Sequence, residues 1–190
     1  MTAQHTRSQI VDAADRLFYE QGFEHTSFAD IASAVQISRG NFYYHFKTKD
    51  EILVAVIGAR LAATQAMLGQ WEAGSDHPRE RIRSFITMWL ANQADIQRYG
   101  CPVGTLCAEL AKLAHASQAE AQELFTLFRM WLGEQFSLLG HRQDADALAL
   151  HVLARSQGVA MLANAFHDET FIKREVDGLC EWLDSLAERS

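Results

Sequence analysis

The stretch Ser38-Arg39-Gly40-Asn41-Phe42-Tyr43-Tyr44-His45-Phe46-Lys47-Thr48-Lys49-Asp50-Glu51 is the densest display in this chain of side chains suited to contact DNA. Two segments before it, residues 7–22 and 27–34, repeat apolar residues at i, i+3, i+4, i+7, the spacing of a helix with one buried face. A second helix of about eight residues, a tight turn at 35–37 and a third short helix make a helix-turn-helix. This motif predicts that the third helix lies in a DNA major groove.

Capping residues indicate where the second, third and fourth helices begin. Ser27 with Asp30 can cap the second helix, and Ser38 can cap the third. Thr48-Lys49-Asp50-Glu51 has the spacing of a capping box, so a long fourth helix is expected to start there. The clearest break after it is Gly74-Ser75-Asp76-His77-Pro78, which is where we expect that helix to end.

The composition is that of a folded helical protein. Hydrophobic residues make up 48% of the 190 residues, and the chain has two prolines with abundant Ala, Leu, Gln and Glu. No apolar run approaches the about 20 residues of a membrane span, and the N-terminus lacks the apolar region of a signal peptide. Three cysteines, an odd number, argue for reduced thiols. We expect a cytoplasmic all-α protein without a membrane partner.

The net charge of −7 is unusual for a DNA-binding protein, but its distribution is uneven. Residues 1–60 carry six Lys and Arg against seven carboxylates, a net charge of −1, and the other −6 lies beyond them. DNA affinity is therefore expected to depend on a few focused contacts and on pairing two copies, and sequence-independent binding should be modest.

The outward-facing residues at the start of the third helix are the candidates for reading bases. Arg39 can donate two hydrogen bonds to guanine, and Asn41 can pair with adenine. Gly40 would allow the backbone to approach closely, and Tyr44 could contact a thymine methyl group or the DNA backbone. Phe42 and Phe46 are expected to pack against the first helix. The competing interpretation is that all the aromatic residues form a three-helix core and that the basic groups are its solvated face.

The pattern at residues 38–52, Ser-x-Gly-x-Phe-Tyr-Tyr-His-Phe-Lys-x-Lys-x-Glu-Ile, resembles the signature of tetracycline-repressor-like (TetR family) transcriptional regulators. It extends back over Ile10-Val11-x-Ala13-Ala14-x-x-Leu17-Phe18-x-x-x-Gly22-Phe23 and Thr26-Ser27-x-x-x-Ile31-Ala32, so it covers about residues 7–56. One position departs from the pattern, because Gln36 lies where the family commonly has Gly.

The resemblance implies an all-α fold of about nine helices in two domains. The DNA-binding domain would be residues 1–50 and the ligand-binding and dimerisation domain residues 51–190, with the boundary inside the long fourth helix. The family's phosphate contacts carry over onto matching positions, and Lys47 is a further candidate. These predicted phosphate contacts are Thr26, Ser38, Tyr43, His45, Lys47 and Lys49.

The C-terminal part carries no nucleophile with a paired base, no glycine-rich phosphate loop and no metal-ligand spacing, so we expect neither an enzyme nor a cofactor or metal protein. Aromatic and large apolar residues could instead line a cavity for a hydrophobic or aromatic effector, although a filled core explains them equally. The predicted lining residues are Phe85, Met88, Trp89, Leu106, Phe125, Phe128, Trp131 and Met161.

Cys101 and Cys107 lie at a predicted helix start, where the helix dipole can favour a thiolate. The pattern Gly-Cys-Pro-x-Gly-x-Leu-x-x-Glu around them resembles a subgroup of the family in which some members sense electrophiles through cysteine. The alternative is a structural loop in which cysteine packs as a small hydrophobic residue. Cys180, between Leu179 and Trp182 on the last helix, reads as an interface or core residue.

The last two helices are predicted to form the homodimer interface. Residues 144–166 are rich in small side chains that allow close helix approach, and the final helix repeats apolar residues at near-heptad spacing. The competing interpretation is a core within one chain. The predicted interface residues are Ala154, Gly158, Val176, Leu179 and Leu183.

Together these features predict a ligand-responsive DNA-binding transcriptional regulator, with repression as the expected action. It would bind a palindromic double-stranded operator as a homodimer and would be released by a small hydrophobic or electrophilic effector. Two other classes of protein fit the sequence less well. The sequence lacks the catalytic residues that a small-molecule-binding enzyme would need. The acidic net charge disfavours a structural DNA-organising protein.

Overall fold

The computed structural model describes residues 3–168 and 170–187, apart from the side chains of Ala3, Arg39 and Ala187. These described residues form ten α-helices and no β-strand, which confirms the predicted all-α class. A break at Asn92 separates the fifth helix from a short sixth one, so the count is one above the expected nine. The helices are α1 Ala3–Gln21, α2 Phe28–Val35, α3 Arg39–His45, α4 Lys49–Gly74, α5 Pro78–Ala91, α6 Gln93–Tyr99, α7 Pro102–Lys112, α8 Gln118–Leu138, α9 Ala145–Phe166 and α10 Phe171–Ala187.

The turn between α2 and α3 is the turn of the predicted helix-turn-helix. Ser27 caps α2, because its hydroxyl accepts the Asp30 N–H at 3.2 Å while the Asp30 carboxylate accepts the Ser27 N–H at 2.8 Å. The hydroxyl and N–H of Ser27 hold the pKa of the Asp30 carboxyl below its usual value. Gln36 ends α2 with φ of 57°, a left-handed conformation that costs roughly 1 kcal/mol for a residue other than Gly.

Side-chain oxygens also cap the next two helices. Ser38 Oγ accepts the Asn41 N–H at 3.3 Å, and Thr48 Oγ1 accepts the Glu51 N–H at 3.1 Å. The Glu51 carboxylate accepts the N–H of Lys47 at 2.7 Å, one residue earlier than a complete capping box requires. The start of α4 is therefore capped by Thr48, and Glu51 ties the end of the preceding loop to it.

The helices pack into two compact units. The first holds residues up to 64 and residues 103–124, so it contains α1 to α3, the first part of α4 and most of α7. Its core buries one face of each of these helices. The buried apolar residues are Ile10, Val11, Ala14, Leu17, Phe18, Phe23, Ile31, Phe42, Phe46, Ile52, Leu53, Val56, Ile57, Leu106, Leu110 and Ala121.

The second unit holds residues 65–102 and those from 125 onward. Its core is rich in aromatic residues on α5 and α8 and in small and aliphatic residues on α9 and α10. The buried apolar residues are Leu68, Ile82, Phe85, Ile86, Trp89, Ile96, Phe128, Trp131, Leu132, Phe136, Ala145, Ala149, Val152, Leu153, Val159, Ala160, Ala163, Ile172, Val176, Leu179 and Leu183.

This grouping by packing differs from the division at residues 50 and 51 that the sequence predicts. The first fifteen or so residues of α4 and nearly all of α7 pack with α1 to α3, because their apolar faces are buried in the same core. The division of labour between a DNA-binding and an effector-binding domain stays a prediction.

Among the described residues, α4 alone is long and apolar enough to cross a membrane, with a mean hydropathy of 1.7 in its most apolar stretch. One such helix is weak evidence, since a core helix of a soluble protein passes the same test. In this chain α4 buries Ile52, Leu53 and Val56 in the first core, and Arg60 pairs with Asp15 at 2.6 Å.

Candidate DNA-binding surface and effector domain

Helix α3 divides its residues sharply between a core face and a solvent face. Phe42 is buried, as is Phe46 directly after the helix, and both pack in the first core as predicted. Tyr43 and Tyr44 point to solvent, with 49% and 72% of their surface exposed. Exposing the apolar surface of two adjacent aromatic rings to water is unfavourable in free energy. A partner that covers them with bases and methyl groups would remove that unfavourable exposure.

The exposed face of α3 is held in a defined orientation by α2. The ring of Tyr43 stacks on Phe28 with centroids 5.6 Å apart and planes 14° apart. Phe28 in turn packs edge-on against the buried Phe42 at 5.2 Å. His45 packs edge-on against Tyr44 at 5.2 Å. These contacts limit side-chain rotation before any partner binds, which reduces the entropy lost on binding.

The predicted base-reading residues lie on the first turns of α3. Asn41 is exposed, and its backbone N–H is bound by the Ser38 cap while its side-chain amide lies on the solvent face. A methyl group added at Gly40 would meet no other atom within 4 Å, so the backbone there is open to close approach. Arg39 begins α3, but its side chain lies outside the described residues.

Four of the predicted phosphate contacts lie around the same helix. Ser38, Tyr43 and Lys47 are exposed and His45 is half-buried. Lys47 Nζ donates to the carbonyl oxygen of Tyr43 at the end of α3. Hydroxyl, imidazole and ammonium groups thus flank the base-reading residues, the arrangement that phosphate contacts need.

Two further predicted phosphate contacts have other partners. Thr26 is fully buried, and its hydroxyl donates to the carbonyl oxygen of Gly22 at 2.7 Å. A phosphate contact by the Thr26 side chain is therefore wrong for this conformation, because a core hydroxyl cannot reach a DNA backbone. Lys49 Nζ donates to the carbonyl oxygens of Phe23 at 2.8 Å and Glu24 at 3.3 Å, so two of its three hydrogens are already used.

The predicted effector-pocket residues do not all lie together. Phe85, Trp89, Phe128 and Trp131 are buried in the second core, and Met88 packs against it. The rings of Phe85 and Phe128 meet edge-on at 5.3 Å, which is the geometry of a filled core.

The other three predicted lining residues are not among the buried residues of that core. Leu106 belongs to the core of the first unit, because α7 packs with α1 to α3, and its role in an effector pocket stays a prediction. Met161 is 72% exposed on α9. Phe125 is half-buried at the start of the second unit's part of α8.

Polar side chains contact the second core at Trp131 and at Gln135, and sequence reasoning missed these contacts. The indole Nε1 of Trp131 donates to the Glu72 carboxylate at 2.8 Å. The fully buried Gln135 accepts from the Arg81 guanidinium at 3.2 Å, and Arg81 also donates to the carbonyl oxygen of Ser75. Glu72 and Trp131 are 59 residues apart in the sequence, and Arg81 and Gln135 are 54 apart. No local sequence pattern indicates these pairs, because only the fold brings them together.

The cysteines are partly buried and none forms a disulfide among the described residues. Cys101 directly precedes α7, as predicted, and accepts a weak bond from Gln157 Nε2 at 3.5 Å. Cys107 donates to the carbonyl oxygen of Ala121 at 3.4 Å. Burial raises the pKa of the Cys180 thiol, which disfavours its reactive thiolate form. Thiol sensing by Cys101 or Cys107 stays a prediction.

The two helices expected to form the dimer interface behave differently. Val176, Leu179 and Leu183 are buried in the core of their own chain, against α5 and α9, so their assignment to the dimer interface is wrong. Ala154 and Gly158 are exposed on α9, as an interface requires.

Helix α9 carries more exposed apolar surface than its small residues alone indicated. Its solvent face follows a 3–4 spacing that continues from Ala147 to Phe166. The apolar and small residues on this face are Ala147, Leu150, Ala154, Gly158, Met161, Leu162, Ala165 and Phe166. The spacing of apolar residues in the sequence does not distinguish this exposed stripe from the buried one, because α9 is apolar on both sides.

Over the part of the chain that the structure describes, no group of three or more His, Cys, Asp or Glu side chains could hold a metal ion. One of the histidines, His115, has structural contacts in the first unit. His115 Nδ1 accepts the Ser117 N–H at 3.0 Å, and its ring packs edge-on against Phe23 at 5.1 Å.

Comparison with known proteins agrees with this geometry over nearly the whole chain. The regulator in the lacX 3′ region of Lactococcus lactis subsp. lactis, an HTH-type transcriptional regulator, is 26% identical over 189 residues, 97% of this chain and 96% of that protein. A TetR transcriptional regulator from Legionella pneumophila has a crystal structure with a TM-score of 0.81 at 26% identity, covering 94% of this chain and 95% of that one. The HTH-type transcriptional regulator TtgR of Pseudomonas putida is 46% identical over 55 residues, 29% of this chain and 26% of its own length.

Two parts of the chain match described families. Residues 10–56 match the family "Bacterial regulatory proteins, tetR family", and residues 78–175 match "Transcriptional regulator LmrA/YxaF-like, C-terminal domain". The first match covers the helix-turn-helix and the second covers α5 to the start of α10. The expectation that the chain is no enzyme is confirmed by this family, whose members are transcriptional regulators. The chain belongs to the tetR family of bacterial regulatory proteins, with an LmrA/YxaF-like C-terminal domain.

Proposed function

We propose that this protein is a ligand-responsive transcriptional repressor. It binds a palindromic operator as a homodimer in the bacterial cytoplasm, and a small hydrophobic or electrophilic effector releases it. The observation that carries the proposal is the solvent face of α3, where Gly40, Asn41, Tyr43 and Tyr44 are all exposed on a helix capped by Ser38.

The chemistry of that face fits a major groove. Asn41 offers the donor and acceptor pair that matches adenine, and Arg39, at the first position of α3, offers two donors for guanine. Tyr44 provides an apolar surface for a thymine methyl group. Ser38, Tyr43, His45 and Lys47 would hold the flanking phosphates. With a net charge of −7 on the chain, sequence-independent attraction is weak, so base contacts must carry a larger share of the affinity.

Pairing of two copies is supported by the exposed stripe of α9. Residues 147–166 place small side chains at the centre of the stripe, at Ala154 and Gly158, and large apolar ones at its ends, at Leu150 and Phe166. A methyl group added at Gly158 would meet nothing within 4 Å, so a second helix can approach its backbone closely. An isologous pair of such stripes removes both from water.

The effector would bind in the second unit, whose core combines aromatic rings with a few polar groups. Phe85, Trp89 and Phe128 supply the apolar surface, and Glu72 and Arg81 supply polar atoms within the same unit. An electrophilic effector would act instead on Cys101 or Cys107. Helix α4 runs from residue 49 to residue 74 and contributes residues to both units, so we propose that it carries the effect of the ligand to the DNA-binding surface.

The test is selection of duplexes from a random-sequence DNA pool with the full-length chain. We expect an enriched inverted repeat with half-sites one or two helical turns apart, roughly 34 to 70 Å. Asn41→Ala and Tyr44→Ala should change the preferred bases. Lys47→Ala should weaken binding to every duplex and lower the salt dependence by about one ion per contact. Lys112→Ala removes the same charge from the exposed end of α7 and is the matched control.

Failure to enrich any sequence over the starting pool would contradict the proposal. The effector is tested on the selected duplex with a maleimide and with a set of uncharged aromatic compounds. Release by the maleimide that disappears in Cys101→Ser or Cys107→Ser assigns the electrophilic route, and release by the aromatic compounds alone assigns the hydrophobic one. If neither the maleimide nor the aromatic compounds release the duplex, the proposed response to a hydrophobic or electrophilic effector is contradicted.

A further inference from the structure

The loop between α1 and α2 is bound by two charged side chains from distant parts of the chain. The Glu109 carboxylate, on α7, accepts the backbone N–H of Phe23 at 2.8 Å and that of Glu24 at 2.9 Å. The Lys49 ammonium, at the first residue of α4, donates to the carbonyl oxygens of the same two residues. The N–H groups and the carbonyl oxygens of Phe23 and Glu24 are thus all engaged by charge-assisted bonds, which are stronger than neutral ones.

The residue before the loop is shaped for this contact. Gly22 has φ of +90°, and a Cβ built there would lie 3.0 Å from Glu109 Oε1. A larger residue would therefore be strained in backbone and would displace the carboxylate. Lys49 also lies over the ring of Phe23, 4.2 Å from its centroid, and Phe23 itself is buried in the first core.

The same loop sets the start of the helix-turn-helix. The Thr26 hydroxyl donates to the Gly22 carbonyl oxygen, and Ser27, one residue later, caps α2. Helix α2 then holds the recognition helix through the stack of Phe28 on Tyr43. The position of the Phe23 and Glu24 peptides is therefore passed through α2 to the exposed face of α3.

We propose that Glu109 is a positioning residue for DNA binding and that Lys49 works with it. Their shared hold on the α1–α2 loop orients α2, and with it the solvent face of α3, before DNA is bound. Glu109 is the last residue of the Gly-Cys-Pro-x-Gly-x-Leu-x-x-Glu pattern, which thereby gains a role. Lys49, in turn, binds backbone carbonyl oxygens of the protein itself. The inference rests on the proposed DNA-binding function, since it concerns the geometry of that same surface.

The experiment compares Glu109→Gln with Glu123→Gln. The first keeps the size of the side chain but presents one acceptor and one donor to two N–H groups. The second removes the same charge from an exposed position on α8, in the same unit. Amide chemical shifts and hydrogen exchange are measured on the full-length DNA-free chain, and affinity is measured for the duplex selected by the wild type.

For Glu109→Gln we expect loss of exchange protection at Phe23 and Glu24 and shifted amide signals along α3. Affinity for the selected duplex should fall by at least about tenfold, because one charge-assisted bond is lost and the loop is no longer fixed. Glu123→Gln should change neither the loop signals nor the affinity by more than about twofold. Glu109→Asp, which keeps the carboxylate on a shorter side chain, should fall between the wild type and Glu109→Gln.

Two results overturn the inference. One is a Glu109→Gln chain with altered loop signals but unchanged α3 signals and unchanged affinity, because Glu109 would then stabilise the loop without positioning the recognition helix. The other is unchanged loop signals. If Glu109→Gln does not fold, the same criteria are applied to Glu109→Asp against the wild type. If the wild type selects no duplex, the proposed DNA-binding function is contradicted. That outcome is distinct from the two results above, which contradict only the positioning role of Glu109.

Discussion

Helices α9 and α10 lie next to each other in sequence and in the same unit, and both repeat apolar residues, yet they present them to different surroundings. α10 turns Ile172, Val176, Leu179 and Leu183 into the core of its own chain and leaves polar residues such as Lys173 and Asp177 outside. α9 is apolar on both sides, so that it fills the core with Val152 and Val159 and still exposes Met161.

The difference shows what near-heptad spacing can and cannot establish. A 3–4 repeat identifies a helix with one apolar stripe, and α10 has one. It does not identify the neighbour of that stripe, and in α10 the neighbours are α5 and α9. A helix offers an interface only when apolar residues remain after its own core is filled. In this unit, α9 meets that condition and α10 does not.

The largest expected effect is on the buried stripe of α10. Leu183→Ala should lower the free energy of unfolding by about 2–5 kcal/mol, because it removes a fully buried side chain and leaves a cavity. Chemical denaturation followed by circular dichroism, at several protein concentrations, measures it. The matched control is Leu138→Ala on the exposed face of α8, which should cost less than about 0.5 kcal/mol. Equal losses for the two leucines would remove the distinction between the faces.

A large effect of a different kind is expected on α9. Met161→Asp should raise the dissociation constant of the dimer at least about 100-fold, since the change occurs twice in a symmetric interface and places a charge in apolar surroundings. Helix content should be unchanged. Sedimentation equilibrium measures it, and Met130→Asp on α8 is a close control, with 70% of Met130 exposed against 72% of Met161. A dimer that survives Met161→Asp would show that α9 is not the pairing helix.

The smallest effect should follow from the solvent face of α10. Lys173→Ala breaks an exposed pair with Asp177 at 2.6 Å, four residues on. Such pairs contribute about 0.2–0.5 kcal/mol, so the denaturation midpoint should barely move and the dimer dissociation constant should stay within about twofold. Added salt should make the wild type and the variant still more alike. A marked loss of dimer in this variant would indicate that α10 contributes its polar face to the interface after all.

Local patterns were sufficient for the helix-turn-helix. The caps at Ser27, Ser38 and Thr48 involve partners within four residues, and the periodic apolar positions such as Ile31 and Phe42 are buried as predicted. Interactions of this range are encoded in adjacent residues, so they can be read without knowing the rest of the fold.

Assignments that depend on distant partners were less successful. The sequence-based prediction groups Leu106 with Phe85, but α7 packs with the N-terminal helices, so Leu106 lies in the other core. The Thr26 hydroxyl donates to the Gly22 carbonyl oxygen, and the Lys49 ammonium donates to the carbonyl oxygens of Phe23 and Glu24. For Leu106 and Lys49 the residue type is compatible with two environments, and a segment far away in the sequence decides between them. Thr26 differs, because its partner Gly22 lies only four residues earlier.

By itself the sequence determined the all-α class, the helix-turn-helix with its capped helices, and the split of α3 into a core face and a solvent face. Those features follow from backbone capping and helical periodicity, which act over a few residues. Only the tertiary structure decided that the stripe of α10 is internal, that α9 keeps an apolar face in solvent, and that Glu109 holds a loop 86 residues before it. Burial and long-range hydrogen bonds depend on which surfaces meet, and that is settled by packing the whole chain at once.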